Sequence, residues 1–279
     1  MDMPDPNGPR PRVTCTSCVV RELCLPPGLS RNELESAEQL VSTRLRIRGG
    51  GALYRCGDAF KSLYVVWRGS VKSTVTSDDA REQITGFHMP GDMMGFDGLG
   101  AGSHTCDAVA LEDSEVCVFP YSRIDGADAV LPALRRHFYQ QMSRELVRKH
   151  ESMLMLGSMR ADERLATFLL KLSDRFDALG YSRREFALRM TRADIGSFLG
   201  ITLETVSRVM SQFARQGLID FPGLKRVRIA DREGLGRVAL GREAAPDRGR
   251  GPAADARAGG IAQRRATKAV RVPVVEVFA

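Results

Sequence analysis

The chain has 279 residues, of which 43% are hydrophobic, so it is long enough for two globular domains. It contains no run of about 18 apolar residues, and we therefore expect no membrane-spanning segment and no membrane partner. The formal net charge is +7, but residues 241–279 carry eight Lys or Arg against four Asp or Glu, a net of +4. Because this tail holds more than half of the excess, net charge alone does not establish nucleic-acid binding.

Three cysteines lie close together within the proline-rich residues 1–30. Cys15, Cys18 and Cys24 are spaced C-x2-C-x5-C, and we call residues 15–24 the clip. Thiolates at this spacing suit one face of an iron–sulfur cluster or a zinc ion, and either centre needs a fourth ligand from elsewhere. Three further cysteines are available for that position: Cys56, Cys106 and Cys117.

A disulfide framework and a redox dithiol are the alternative interpretations of the clip. The first residues, MDMPDPNGPRPR, lack the apolar segment of a secretory signal, so we expect a cytoplasmic protein. Disulfides are rare in that reducing compartment, where clustered cysteines more often bind metal or carry out redox work. The sequence has no glycine-rich nucleotide-binding fingerprint and no constellation of residues for handling a substrate, so we expect that it is not an enzyme.

The next region, residues 31–123, predicts one helix followed by a domain of strands. Ser30 is a suitable N-cap, and Glu33 three residues later completes a capping-box pattern for a helix over residues 30–42. Across residues 44–120, short apolar runs such as SLYVVWRGSVKSTVT and SEVCVFP alternate with glycine-containing turns. Strands of this length indicate an antiparallel barrel or sandwich rather than a sheet with crossover helices.

A long amphipathic helix is predicted within residues 124–158. Its apolar seam, which has charged flanks, consists of Leu134, Phe138, Met142, Leu146 and Met153. A seam of this length either faces a core or pairs with a second copy, and we favour dimerisation because no comparable helix lies nearby to cover it. Lys149 lies at the seam beside Arg148, and we hypothesise that their like charge keeps the dimer marginal.

Residues 159–236 predict a DNA-binding domain of the helix-turn-helix type. One short helix ends near Gly200 and Thr202 caps a second one, so that two helices meet at a tight turn. The segment FPGLKRVRI follows and is typical of a wing hairpin. Residues 237–279 are low-complexity Ala, Gly, Arg and Pro, which predicts a disordered basic tail.

The second of these helices places Glu204, Ser207 and Arg208 on one outward face. Arg208 can bond guanine O6 and N7, Glu204 can accept from cytosine N4, and Ser207 can meet a base edge or a thymine methyl. The simpler alternative is a solvated Glu–Arg pair. Phosphate contacts, which set position rather than sequence, are expected from Thr191, Arg192, Arg215 and Lys225.

Several motifs in this order resemble one known family. They are the clip CTSCVVRELCLP, then FKSLYVVWRGSVKS, EQITGFHMPGDMMGFD, LEDSEVCVFP and ITLETVSR. Together they resemble the oxygen-sensing fumarate-and-nitrate-reduction branch of the CRP family of transcription regulators. The resemblance implies an α+β fold with an N-terminal antiparallel β-barrel of the cyclic-nucleotide-binding jelly-roll type, a long dimerisation helix and a C-terminal winged helix-turn-helix.

The resemblance also implies a cofactor and a mode of action. It assigns the fourth ligand to Cys117, in VCVFP, and sets aside Cys106 and Cys56, where the family requires no cysteine. The implied cofactor is a [4Fe–4S] cluster that supports a DNA-competent homodimer when oxygen is absent. The implied partners are palindromic TTGAT-type promoter DNA and RNA polymerase, for which the turn over residues 77–81 is a candidate surface.

A cyclic nucleotide and a structural zinc ion are the alternatives to the iron–sulfur cluster within this fold. A cyclic nucleotide is disfavoured because the family's phosphate-binding arginine is missing: residues 95–98 read GFDG, and His104 and Thr105 stand at the downstream positions. Asp97 would add negative charge there. A structural zinc ion stays open, because four cysteines suit zinc equally well.

Overall fold

Strands build the first half of the chain and helices most of the second half. The structure is a computed structural model, and it describes residues 14–41, 43–125 and 132–242. Most of the predicted tail, from residue 243 onward, lies outside the described residues. The helices are α1 (Arg21–Cys24), α2 (Arg31–Leu40), α3 (Tyr121–Asp125), α4 (Pro132–Ser158), α5 (Ala161–Ala178), α6 (Arg192–Leu199), α7 (Leu203–Arg215) and α8 (Arg232–Ala239). The strands are β1 (Thr43–Ile47), β2 (Ala52–Tyr54), β3 (Ser62–Arg68), β4 (Val71–Thr76), β5 (Glu82–His88), β6 (Met93–Met94), β7 (Asp107–Ala110), β8 (Ser114–Pro120), β9 (Glu185–Ala187), β10 (Ile219–Gly223) and β11 (Arg226–Ile229).

The first eight strands form two antiparallel four-stranded sheets, which we call the barrel domain (residues 43–120). The strand orders are β1-β8-β3-β6 and β2-β7-β4-β5. An apolar core inside the domain includes Tyr54, Val66, Ala108 and Val116. Side chains alternate along a strand, so β8 directs Val116 into this core and Cys117 to the other face of its sheet. The predicted antiparallel β-domain is confirmed.

The other face of the first sheet is covered by the clip, α2 and α4. Cys117, Val65 and Phe119 belong to one apolar cluster with Leu134 and Phe138 of α4. The rings of Phe119 and Phe138 meet edge to face, with centroids 6.4 Å apart. Because both faces of this sheet are packed, β8 reads as a nearly continuous apolar run rather than a strict alternation.

The seam of α4 serves two different surfaces, which corrects the sequence-based expectation. Leu134 and Phe138 are only 1% and 6% exposed, because the barrel domain and the clip cover them. They are therefore not available to a second copy of the chain. Met142, Leu146 and Met153 are 39%, 57% and 69% exposed, and they form an apolar stripe on the adjoining side of the helix.

The predicted start of α2 is confirmed in detail. The Ser30 hydroxyl accepts from the Glu33 main-chain N–H at 3.3 Å, and the Glu33 carboxylate accepts from the Ser30 N–H at 2.8 Å. This capping box satisfies donors that would otherwise be left unpaired at the helix N-terminus. The helix buries Ala37 in the cluster around Cys117.

The C-terminal domain has the predicted order of helix, strand, two helices and hairpin, with one addition. Its three-stranded sheet has the order β10-β11-β9. The additional element is α8, which Asp231 caps by accepting from the Gly234 N–H at 2.9 Å, and which buries Leu235 and Val238. The domain therefore continues past the expected boundary at residue 236, because α8 packs on α5 and runs to Ala239.

Polar contacts join the barrel domain to the helices that follow it. The buried carboxylate of Asp92 lies 3.1 Å from Arg148 of α4 and also pairs with Arg175 of α5. On strand β4, Lys72 pairs with Asp194 of α6 at 2.6 Å. Within the described ranges, no helix combines the length and the apolar character needed to cross a membrane.

Candidate metal centre and DNA-reading surface

The clip winds through a turn into the single turn of helix α1. The Cys18 N–H donates to the Cys15 carbonyl at 3.2 Å, and the Leu25 N–H donates to the Arg21 carbonyl at 2.8 Å. The start of the clip is hydrogen-bonded to α2, because the Thr16 N–H and hydroxyl both donate to Glu38 Oε1, at 2.9 and 3.1 Å. This winding buries Cys15 and Cys24 and leaves Cys18 half-buried.

The structure brings the clip cysteines to Cys117. Cys15, Cys24 and Cys117 lie in one apolar cluster on the outer face of the sheet. Burial raises the pKa of the Cys24 thiol, and the charges that Cys117, Cys15 and Cys18 carry when ionised raise it further. Burial also raises the pKa of Cys15, to about 12. The buried thiols are therefore protonated without a metal, and metal binding would release their protons.

The other two cysteines lie elsewhere. Cys106 is inside the barrel core, on the opposite side of the sheet from the clip, and its thiol lies 3.5 Å from Asp97 Oδ2. Cys56 is exposed in a turn, where its main-chain N–H donates to Asp107 Oδ1 at 2.8 Å. Neither shares the apolar cluster that holds Cys15, Cys24 and Cys117.

A positive side chain stands beside Cys117. Arg44 of β1 is directly opposite Cys117 of β8, and its guanidinium carbon lies 3.8 Å from the ring centre of Trp67. Burial raises the pKa of Cys117, whereas a hydrogen bond and the positive charge from Arg44 act to lower it. The buried Nε of Arg44 has no hydrogen-bond partner among the described residues.

The donor set fits a thiolate-bound centre. Four soft sulfur donors and a neighbouring arginine, whose Nε has no partner among the described residues, match an anionic iron–sulfur or zinc centre in chemical type. In the part of the chain that the structure describes, no group of three or more His, Cys, Asp or Glu side chains is arranged to hold a single metal ion. The residues that would hold the group are Cys15, Cys18, Cys24 and Cys117.

The barrel domain holds His104 and Thr105 at the positions where the cyclic-nucleotide interpretation requires an arginine, and the carboxylate of Asp97 lies beside them. Asp97, in a short 3-10 turn (Phe96–Gly98), accepts from the Thr105 N–H at 2.9 Å and lies 3.3 Å from His104 Nδ1. The His104 ring is stacked on Tyr54, with centroids 3.7 Å apart. These side chains satisfy one another, and the carboxylate would repel a phosphate.

The helix-turn-helix forms as the sequence predicts. Gly200 ends α6 in the left-handed conformation, with φ of 62°. Gly196 allows the close turn, because a Cβ there would lie 2.7 Å from the Ile201 carbonyl oxygen. Thr202 then caps α7 by accepting from the Thr205 N–H at 3.2 Å.

Burial orients α7 so that its candidate base-reading face points outward. The buried positions of this helix are Val206, Val209, Met210 and Phe213. Glu204 and Arg208 are exposed and Ser207 is half-buried, so the three share an accessible face of the single chain. All four candidate phosphate contacts are exposed as well: Thr191, Arg192, Arg215 and Lys225.

Thr191 and Lys225 occupy distinct local settings. The Thr191 hydroxyl caps α6, donating to Asp194 Oδ2 at 2.7 Å and accepting from the Asp194 N–H at 3.0 Å. The Thr191 hydroxyl is therefore engaged in both of these hydrogen bonds rather than free for a phosphate. Lys225 lies at the tip of the β10–β11 wing, beside the fully exposed Leu224.

Sequence reasoning missed Arg44, His137 and Gln141. Only strand register places Arg44 opposite Cys117. His137 and Gln141 are buried polar residues on the clip-facing side of α4. Their spacing matches that of Leu134 and Phe138, and polar residues inside an apolar stripe are the signal that would have found them.

Known proteins share this architecture. Residues 44–127 match the cyclic nucleotide-binding domain, and residues 163–238 match the Crp-like helix-turn-helix domain. The chain is 46% identical over 223 residues to the transcriptional regulatory protein Btr of Bordetella pertussis, which covers 76% of this chain and 92% of the relative. It is 39% identical over 227 residues to the fumarate and nitrate reduction regulatory protein of Escherichia coli K12, covering 81% and 90%.

A solved structure agrees with this assignment. FixK2 from Bradyrhizobium japonicum matches with a TM-score of 0.65 and 35% sequence identity, over 71% of this chain and 98% of that chain. The barrel domain, the long helix and the helix-turn-helix thus occur in the same order in proteins of one group. The chain belongs to the CRP/FNR family of DNA-binding transcription regulators.

Proposed function

We propose that the chain is an oxygen-responsive transcription regulator with a [4Fe–4S] cluster held by Cys15, Cys18, Cys24 and Cys117. The observation that carries this proposal is the apolar cluster on the outer face of the first sheet, which contains Cys15, Cys24 and Cys117 and lies beside the half-buried Cys18 of the same clip. The cluster, when bound, supplies an iron–sulfur centre that oxygen can convert or destroy. Similarity to the fumarate and nitrate reduction regulatory protein supports iron–sulfur over zinc.

The contact between the clip and α4 supports a link from the metal centre to dimerisation. Gln141 Nε2 donates to the Leu23 carbonyl at 3.3 Å, and His137 hydrogen-bonds the main chain of Cys24. The exposed part of the seam, Met142, Leu146 and Met153, lies on the adjoining side of the same helix. We propose that this stripe pairs with its copy in a homodimer, and that loss of the cluster weakens the pairing.

The intrachain contacts of Lys149 offer a second explanation for the charge that the sequence places at the seam. Its Nζ donates to the Thr85 carbonyl at 2.8 Å and pairs with Glu145 at 2.9 Å. Arg148 likewise pairs with Asp92 at 3.1 Å. Because both charges are matched within one chain, repulsion between two copies is not needed to explain them.

The dimer would read a two-fold symmetric promoter site. We propose that Glu204, Ser207 and Arg208 read each TTGAT-type half-site, and that the four exposed phosphate-contact residues named above set the register. We propose that the turn at residues 77–81 contacts RNA polymerase. The Ser77 hydroxyl and Arg81 both bind Asp79, and these contacts stabilise the conformation of the turn.

Operator binding in the presence and absence of air tests this function. Protein purified without oxygen should carry iron and sulfide and bind a TTGAT palindrome as a dimer, measured by fluorescence anisotropy and sedimentation. Exposure to air should remove the iron–sulfur Mössbauer signal and release the DNA in parallel. Stoichiometric zinc without iron, together with DNA binding that air does not change, would favour the structural-zinc alternative instead.

A further inference from the structure

We propose that Arg44 is a positioning residue of the metal centre, giving it a positive charge and a hydrogen-bond donor on the Cys117 side. The inference rests on the proposed function, because it concerns the same four sulfurs. It goes further by assigning a role to a residue that is not a ligand.

Strand pairing fixes where Arg44 lies. Arg44 and Cys117 are directly opposed on β1 and β8, so their side chains leave the sheet on the same face. That face carries the apolar cluster with Cys15 and Cys24. The guanidinium lies over the Trp67 ring, with its central carbon 3.8 Å from the ring centre, and this contact limits the rotamers open to the arginine.

The surroundings of Arg44 leave part of its hydrogen-bonding capacity unused. Its Nε is buried without a partner among the described residues, and a buried unpaired donor costs free energy. No carboxylate in the described ranges forms an ion pair with it. The contrast is Arg46, two residues along the same strand, which is exposed and pairs with Glu115 at 3.4 Å.

An anionic metal centre at Cys117 would supply the negative charge that Arg44 lacks among the described residues. A [4Fe–4S] cluster or a zinc ion with four thiolate ligands carries net negative charge, which a buried cation stabilises. Donors to ligand sulfurs also tune such centres and are part of how they are held. Three observations favour this role for Arg44 over packing on Trp67 alone. Its Nε has no partner among the described residues, no carboxylate in the described region pairs with it, and strand register places it opposite Cys117.

Metal retention in matched variants tests the inference. Arg44→Met removes the charge and the donors but keeps an unbranched side chain that can lie on Trp67. Arg44→Lys keeps a positive charge and N–H donors but loses the planar guanidinium that lies over Trp67. Arg46→Met is the control on the same strand. Each protein is prepared without oxygen, and iron release to an anaerobic ferrous chelator is followed by absorbance. Removing a side chain that contacts a metal ligand typically lowers metal affinity about 10- to 100-fold, so we expect Arg44→Met to release iron faster than the wild type by about that factor. The iron-release rate of Arg44→Lys should lie between those of Arg44→Met and the wild type, and the rate of Arg46→Met should equal that of the wild type.

The outcomes separate this inference from the proposed function. Urea unfolding of the metal-free proteins checks that Arg44→Met still folds, and a folded variant with a wild-type release rate would overturn the role of Arg44. Equal acceleration in Arg44→Met and Arg46→Met would also overturn it, since the effect would then be a general one of charge. A wild-type protein that contains zinc would contradict the cluster, and zinc release measured in the same variants would then decide the role of Arg44: faster release in Arg44→Met than in Arg46→Met supports it, and equal release overturns it. A wild-type protein without any metal would overturn both.

Discussion

The side-chain amide of Gln141 donates to the main-chain carbonyl of Leu23 at 3.3 Å, which ties α4 to the residue before Cys24. The same amide lies 3.0 Å from His137 Nε2, and His137 in turn hydrogen-bonds the Cys24 main chain. The carbonyls at the end of α1 have no helical partner of their own, so α4 satisfies them. Any movement of the Cys24 end of the clip therefore changes the hydrogen bonds of α4.

Replacing Gln141 should uncouple dimerisation from the metal centre. The variant Gln141→Leu removes the bond to the clip, and we expect the ratio of dimer dissociation constants without and with the cluster to fall by about 3- to 10-fold, the worth of one hydrogen bond. Sedimentation equilibrium, without oxygen and after air exposure, measures this ratio. The exposed neighbour supplies the control, Gln140→Leu, which should behave as the wild type. An unchanged ratio in Gln141→Leu would show that the clip acts on α4 by another route.

Asp92 should be a main support of the junction between domains. Its carboxylate is buried and pairs with both Arg148 and Arg175, so Asp92→Asn should lower the free energy of unfolding by about 3 kcal/mol or more. Burial acts to raise the pKa of Asp92, but Arg175 and Arg148 outweigh burial and lower it. The stabilisation is therefore present above about pH 4, the ordinary value, and is lost as pH falls through the lower folded value. Urea unfolding at pH 7 is the measurement, and a change as small as that of the exposed Asp79→Asn would contradict it.

His88 should make the protein less stable in mild acid. Burial lowers its pKa to about 4, so the folded protein leaves the ring neutral where the unfolded chain, near 6.5, already binds a proton. The unfolded state then binds more protons, and stability falls as pH drops from about 6.5 to about 4, by roughly 3 kcal/mol in total. The charged groups facing the ring are Asp92, Glu145, Lys149 and Arg175.

The variant His88→Gln tests this slope directly. Glutamine retains a polar partner for Ser73, which lies 3.1 Å from His88 Nε2, but does not titrate. Denaturant unfolding at several pH values between 4 and 7 should show a flatter profile for the variant than for the wild type. Parallel profiles would mean that other groups carry the pH dependence.

Base reading and phosphate binding should separate on two exposed cations. Arg208→Ala should cost about 1–3 kcal/mol of discrimination at one guanine of the half-site. Lys225→Ala should weaken binding to all sequences alike and reduce the salt dependence by about one released ion. Anisotropy titrations with the palindrome and with single-base variants, at several salt concentrations, measure both. Uniform weakening by Arg208→Ala would argue against base contact by that residue.

Local signals in the sequence were sufficient for much of the fold. Ser30 with Glu33 marked the start of α2, and Thr202 and Gly200 marked the turn between α6 and α7, because caps depend on neighbouring residues alone. The helix α8 was missed, since REGLGRVA contains two glycines and buries few side chains.

The parts that depend on tertiary contacts could not be predicted. Helical periodicity places Leu134 and Met142 on one broad stripe, and it does not distinguish packing on the barrel domain from packing on a second copy. Similarly, Arg44 gains its relation to Cys117 only from strand register. The packing of α4 and the position of Arg44 both depend on contacts between segments that are distant in the sequence.

The most direct test of the account counts iron and sulfide in cysteine variants prepared without oxygen. The wild type and Cys106→Ser should each contain about four iron atoms and four sulfides per chain, because Cys106 lies inside the barrel core. Cys117→Ser should lose most of the iron and the sulfide, together with oxygen-dependent DNA binding. Full iron and sulfide in Cys117→Ser, or their loss in Cys106→Ser alone, would contradict the proposed ligand set.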